Sequence, residues 1–464
     1  MHISKGLGSF KLNLTSLCIF AAIVLSLDIM AAPRGQQEAE FTSSAIDRVW
    51  SGHRIKPYLL TRNNQQFVAY YDANRQMTVA HRGIGGKWRY YKVDSWLGWD
   101  SHNYVTMEMD SVGNLHLVGN MHADPLEYFR TSEPYNIRSL KRVPTMVDKG
   151  LEQRMTYPIF MLNKNNELLI KYRDGGSGNG NEIYNIYDTK TQSWERLHKN
   201  QFLDGEGRMS GYFEGPTLGP DGMFHLIWVW RDTPDSSSNH SLSYAKSPDL
   251  KTWQDSNGNA LPLPLTLKDT EIVDPVPPQG GIINNNNKIG FDQHNNPIIA
   301  YHKYDKNGDT QMYVARKKAN QNWDIVQISK WDGFRWDFGG YGSLGRFEVQ
   351  TYDPEILSGN TLGVMARKND DVMRFVLNAD TLKTVKVEKA DVFPPVIEQK
   401  TLAANKHLAV SENNSLETQV FKGVGDESDG IEYFLSWQTQ PGNRDNAHSS
   451  ISQPSILLIH EVKH

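Results

Sequence analysis

Two histidines, His102 and His122, stand at the ends of one largely apolar stretch, SHNYVTMEMDSVGNLHLVGNMH (101–122). The polar turn in its middle predicts a β-hairpin with strands over 102–109 and 115–121 about a turn at 110–114. An antiparallel hairpin returns its far ends to one another, which makes the two imidazoles neighbours. Histidine is the side chain that exchanges protons near neutral pH. Further along, Tyr157 in MTYPIF and Tyr212 in SGYFEGP precede their next apolar runs at nearly the distance at which His102 precedes its own. Those runs end in Arg173 and Arg231, as the first ends in His122. A shared register sets this arc of His, Tyr and Arg at one end of three successive hairpins. Such a group can move protons beside fixed positive charge, which is acid–base work on an anionic substrate.

The elements that must hold these residues recur along the chain. A turn rich in Asn, Asp and Gly leads into a short apolar strand seven times, with strands starting at Phe67, Leu115, Leu168, Phe224, Ile298, Leu362 and Phe434. A second strand follows each copy, often with a Trp or a basic residue near its end, as in QMTVAHRGIGGKW and QMYVARKKANQNW. No long stretch carries a helical period. The expected fold is all-β, a seven-bladed β-propeller of four-stranded antiparallel blades. A parallel β-helix fits less well, since its coils are shorter and lack regular hairpin turns. In a propeller the first strand of each blade lines the central channel, so the polar arc would rim one mouth. The region 232–290 reads as loop insertions, and its Asn run at 284–287 as a solvated turn. SPDLKTW (247–253) reads as a structural turn, and GSGNGN (176–181) as a loop allowing close approach to backbone. His240 and His302 are candidate metal ligands with Asp235 or Asp305, set against the plainer reading of satisfied core histidines.

Residues 1–32 read as a signal peptide: Lys5 and Lys11, an apolar stretch over 12–30, then Ala31 and Ala32. The rest, 33–464, is expected to be a single domain, secreted or periplasmic, monomeric and free of the membrane. The only cysteine, Cys18, lies within the leader, so the mature chain would hold no disulfide. With a net charge of −4 there is no overall basic field for nucleic acid, and an anionic substrate has to be met by a local cluster of cations.

The hairpin 101–122, with RMTYP (154–158), KYRDGGSGNGN (171–181), GYFEGPTLGPDG (211–222) and YHKYD (301–305), resembles the BNR-4-type propellers. More closely it resembles the ulvan lyases of polysaccharide lyase family 25, with family 24 more distant. The resemblance implies β-elimination on ulvan, a sulfated rhamnose–uronate polymer. By motif it implies His102 and Tyr157 as the catalytic pair, Arg173 as the group neutralising the uronate carboxylate, and His122 and Tyr212 as supporting residues. It also implies a possible structural zinc or calcium, for which His240 and His302 are the candidates. A mature chain without cysteine weakens a zinc site.

The residue types suit that reaction. Elimination removes the C5 proton beside the carboxylate and expels the C4 oxygen, so negative charge grows where a cation helps most. His102 can take a proton near pH 7, and Tyr157, with an ordinary pKa near 10, can give one. The opposite division suits the epimeric uronate, and the sequence leaves it open. No cofactor is required. Arg231, Trp336 and Tyr341 are expected to bind the polymer. Two rivals remain. A sialidase-like hydrolase would draw on Arg173, Arg231 and Arg335, but no Glu or Asp stands in the repeated register. A non-catalytic sugar-binding propeller would use the aromatics of KWDGFRWDFGGYGS (330–343) and leave His102 unexplained.

Overall fold

Each of the seven turn-plus-strand copies becomes the second strand of a separate antiparallel sheet in the computed structural model. That structure describes residues 40–318, 322–344, 347–408, 416–426 and 430–463. The expected signal peptide lies outside the described residues. Blade one is built on Tyr58–Arg62, Gln65–Tyr71, Gln76–Gly83 and Arg89–Trp96, and blade two on Val105–Met109, Leu115–Gly119, Tyr128–Thr131 and Leu140–Arg142. Blade three runs Met155–Leu162, Leu168–Gly176, Asn179–Asp188 and Ser193–Arg196. Blade four runs Ser210–Leu218, Phe224–Arg231, Asn239–Ser247 and Glu271–Asp274. The remaining three are built on Pro297–Tyr304, Thr361–Lys368 and Ile431–Thr439. Glu40–Val49 pairs antiparallel with Ser455–Lys463, so the start of the described chain supplies the outer strand of the last blade and closes the ring. The fold is a seven-bladed β-propeller, with a short extra strand on some sheets.

The polar turns form for a local reason. Asp110 Oδ1 accepts from the backbone N–H groups of Val112 and Asn114. Asn163 and Asp292 repeat this pattern in blades three and five. A short carboxyl or amide side chain thus replaces the backbone partner a tight turn lacks. The apolar strands are buried on both faces, since each sheet packs against two neighbours. Leu60, Phe67 and Met77 of blade one meet Val105, Met107 and Leu117 of blade two. Tyr172 and Ile170 of blade three meet Val118 and Tyr128 of blade two. SPDLKTW is a structural turn, with Asp249 Oδ1 accepting from the N–H groups of Lys251 and Thr252. The one α-helix among the described residues, Pro395–Ala404, carries little apolar periodicity, which is why the sequence does not announce it. It buries little beyond Ile397 and Thr401, against Phe434 and Ser436 of blade seven.

Candidate active site

Asp100, His102, His122 and Tyr157 meet where blades two and three adjoin, and the backbone route to each is specific. Blade two's first strand begins at Val105, so His102 sits in the turn that leads into it rather than in the strand. The returning strand stops at Gly119. Asn120 then adopts a left-handed conformation, φ 61°, and its side chain bonds to Asn103, Ser95 and Trp96. Asn tolerates this conformation better than most residues because its amide bonds locally. The chain leaves blade two there, and His122–Asp124 pairs with the first strand of blade three, His122 opposite Thr156. His122 therefore belongs to the neighbouring sheet and does not end its own hairpin. Thr156 also pairs with Arg173 on its other side. The next residue, Tyr157, lies in a bulge between Thr156 and Ile159 at φ 54°. A bulge re-aims a side chain out of the strand's alternation, and a bulky residue at positive φ is a strained choice that clusters at functional sites.

The side chains converge closely. The rings of His102 and His122 stack with centroids 4.2 Å apart, and the Tyr157 ring lies 5.9 and 6.0 Å from them. Asp100 Oδ1 is 2.6 Å from His102 Nδ1, and Oδ2 is 2.5 Å from His122 Nδ1. Both imidazoles and Asp100 are partly exposed. Tyr212 adjoins Tyr157, centroids 6.0 Å apart. Its hydroxyl is 2.5 Å from Ser177 Oγ and accepts from Arg231 at 3.3 Å. Ser177 reaches it from the glycine-rich loop. At Gly178, φ 72°, an added Cβ would stand 2.6 Å from Thr233 Cα, so only glycine fits this approach.

The two arginines differ from the sequence expectation. Arg173 is 2% exposed and lies against the rings of Tyr157 and Tyr212 at 4.9 and 5.4 Å; among the described residues its guanidinium makes no well-formed hydrogen bond, only a loose approach to the Tyr212 hydroxyl. It lies behind the phenols instead of opening on the channel mouth. Its neighbour Asp174 turns away to Arg154. Arg231 is also buried, and its partners are all neutral: Tyr212, Ser177, Asn239 and Asn284. Asp232 pairs with His240 instead. These cations set the phenols apart. Burial raises the Tyr212 hydroxyl, but Arg173 and Arg231 outweigh it and leave it below the ordinary tyrosine value. For Tyr157, burial and the adjacent Tyr212 prevail over the same arginines, and its hydroxyl is pushed up to about 12. Asp100 is held below the ordinary carboxylate range: the hydrogen bonds from both histidines override the opposing effect of burial.

Other expectations fared unevenly. Trp336 is 3% exposed and packs on His302, Phe338 and Phe347, so it is core and no platform for sugar. Tyr341 is 70% exposed, and its carbonyl accepts from Arg444. The next residue, Asp445, bonds Ser343 and also Ser101 beside His102, which ties that loop to the rim of the site. His240 is occupied by Asp232 and Ser241, and His302 is buried against Trp336. Among the described residues neither joins a group of three or more potential ligands, so these residues do not fit a zinc or calcium site. Asp100, His102 and His122 lie within ligand distance of one another. Their facing atoms, however, are engaged in the carboxylate–Nδ1 contacts. The Asn run is buried except for Asn285: Asn284 accepts from Arg231, and Asn286 bridges to Val349 and Thr351. Sequence reading passed over Asp100, Ser177, Asn284 and Asp445. Only Asp100 left a signal, the Asp-x-His spacing at 100–102.

The family description "BNR repeat-containing family member" matches residues 65–331. The chain belongs to that family. An ulvan lyase, long isoform, of Alteromonas sp. (strain LOR) is 31% identical over 132 residues, 26% of this chain and 13% of the relative. The long isoform of Pseudoalteromonas sp. (strain PLSV) is 26% identical over 239 residues, 41% of this chain and 23% of the relative. The matched stretches thus span less than a quarter of these relatives' length. Among solved structures, the polysaccharide lyase Uly1 superposes with a TM-score of 0.60 at 13% identity, over 94% of each chain. A PL25 ulvan lyase bound to -[GlcA(1-4)Rha3S]- gives 0.57 at 13% identity, over 89% of this chain and 94% of that one. These structures share the propeller fold. The family match holds the His, Tyr and Arg group entire and leaves out Trp336, Tyr341 and Asp445.

Proposed function

We propose that this propeller is a secreted polysaccharide lyase that cleaves a sulfated rhamnose–uronate polymer of the ulvan type by β-elimination. The observation that carries the reading is the stacked, partly exposed pair His102 and His122 beside Tyr157, backed by a buried arginine without a counter-ion. An imidazole takes the C5 proton, and the Tyr157 hydroxyl, high enough in pKa to stay protonated, gives a proton to the departing C4 oxygen. For the epimeric uronate the proton lies on the other face and the two groups exchange roles. Charge that builds on the uronate carboxylate is met by the second imidazole and by Arg173 and Arg231 behind the phenols. In a site walled by aromatic rings that charge is poorly screened and acts over a longer range than it would in water. Direct contact of Arg173 with a carboxylate requires Tyr157 or Tyr212 to swing aside. The similarity to ulvan lyases, low in identity and reaching 41% of this chain, supports the same substrate class.

The test is digestion of ulvan followed by ultraviolet absorbance of the unsaturated uronate. A lyase raises it, whereas a hydrolase releases reducing ends without it and a lectin does neither. Binding without either product would sink the reading.

A further inference from the structure

The two imidazoles share one carboxylate, and that sharing fixes more than their position. Asp100 Oδ1 accepts from the backbone N–H of His102 at 2.8 Å and meets its Nδ1 at 2.6 Å, while Oδ2 meets His122 Nδ1 at 2.5 Å. An ionised carboxylate can only accept hydrogen bonds. Each Nδ1 facing it must then carry a proton, which leaves the lone pair of each neutral ring on Nε2, at the edge turned away from Asp100. Two side chains that each have two tautomers are reduced to a single combination.

We infer that Asp100 is the positioning residue of the site, a single carboxylate that sets the tautomer of both His102 and His122. The functional part of this rests on the lyase reading; the tautomers do not. Other charged groups face the pair as well. Asp445 Oδ2 lies 4.0 Å from His102 Nδ1 but spends its hydrogen bonds on Ser101 and Ser343. Asp124 accepts from the His122 backbone N–H, His53 approaches Asp100, and Tyr157 with Tyr212 and Arg173 behind it also face the pair. None of these engages an imidazole nitrogen at hydrogen-bond distance. Asp100 approaches the pair from the turn before blade two, the same turn that carries His102. His122 must therefore cross to the neighbouring sheet for one carboxylate to reach both rings.

The test uses the full chain labelled with ¹⁵N-histidine and long-range ¹H–¹⁵N spectra of the imidazoles. Of 15 histidines, the two rings are assigned by their loss in His102→Gln and His122→Gln. Wild type should show both as the Nδ1–H tautomer. Asp100→Asn keeps the size but offers one acceptor and one donor, so one ring should flip to Nε2–H. On ulvan this variant should lose about 10²–10⁴-fold in kcat with KM little changed, as expected when a base is held in the wrong tautomer. The acid limb of its pH–rate profile should move, and Asp100→Glu should recover part of the rate. A wild-type spectrum with either ring as Nε2–H overturns the inference, and needs no variant to fold. So does Asp100→Asn with native circular dichroism and unchanged kcat. If wild type forms no unsaturated product, the lyase reading fails while the spectra still decide the tautomers.

Discussion

The second strands of blades three and four carry arginines, Arg173 and Arg231, that form no ion pair among the described residues, whereas cations of blade five and the loop after it are paired. Among the described residues Arg173 makes no well-formed hydrogen bond and the partners of Arg231 are neutral. On the other side, Lys303 lies 2.6 Å from Asp274, and Arg335 lies 3.3 Å from Asp337 and donates to the Gly308 carbonyl. Arg173, Arg231 and Lys303 all lie on second strands of the repeat, and Arg335 lies in the loop after the last strand of blade five. A buried cation without a counter-ion is costly unless something anionic completes it. A paired, partly exposed cation is already satisfied and adds little. The contrast sets the unpaired side, the one with the stacked histidines, apart as the side that the proposed anionic substrate would complete.

The largest effect should come from the proton-handling pair. His102→Ala and Tyr157→Phe should each lower turnover on ulvan by about 10²–10⁴-fold, the span for positioned proton transfer. The double variant should be little worse than the poorer single one, because residues acting on one step are not additive. Unsaturated product formed over time measures both, with circular dichroism as the folding control. Losses that multiply would instead indicate separate binding roles.

Next in size is the unpaired cation. Arg173→Met keeps much of the packing under the two phenols and removes the charge. Turnover should fall by about 10²–10³-fold, the usual loss when one stabilising group for developing charge is removed. Arg173 also lowers the hydroxyls of Tyr157 and Tyr212. Both should ionise at higher pH in the variant, which an ultraviolet tyrosinate titration would detect. If turnover falls while the tyrosine titration stays put, Arg173 acts on substrate alone and the phenols do not sense it.

The paired side supplies the counter-test. Arg335→Met should leave turnover on ulvan close to wild type, since its charge is spent on Asp337 and the Gly308 carbonyl. A loss comparable to that of Arg173→Met would erase the distinction between the two sides and extend the substrate path to blade five.

What the sequence made legible follows from the range of each interaction. Seven polar turns before seven apolar strands are local signals, and all seven strands fall in separate sheets. The common register of His102, Tyr157 and Tyr212 is local too, and the three do lie in one chain of ring contacts. The transfer of His122 to the next sheet depends on Asn120 turning left-handed and on Thr156 receiving it, a pairing between blades that no single repeat encodes. The register of Arg173 points to an opening on the mouth and the type of Trp336 to a contact with sugar, but Tyr157 and Tyr212 cover the first and His302, Phe338 and Phe347 the second. The Asn run looked solvated for its composition. Burial was decided by Arg231 and by Thr351, both distant in sequence.

The smallest effect concerns a histidine on the paired side and appears as a slope. His302 is buried against Trp336, and burial pushes its imidazole from 6.5 down to about 3. The folded protein therefore holds it neutral, while the unfolded chain titrates it near 6.5. Above that pH neither state binds the proton and stability is unaffected. As pH falls through 6.5 the unfolded state takes up a proton that the folded state refuses, so stability declines until about pH 3, where the loss levels off. His302→Leu removes this titration and leaves those of His53, His198 and His460, each lowered by burial to about 4. The melting temperature of the variant should fall less steeply with acidification over that window, whatever its value at neutral pH. Asp100, whose lowered pKa also costs stability as pH falls through the carboxylate range, is present in wild type and variant alike and drops out of the comparison. Melting curves measured across the pH range that run parallel for wild type and variant would mean that His302 is protonated in place. A charged ring there would need an anion at blade five, and the contrast between the two sides of the mouth would then be lost.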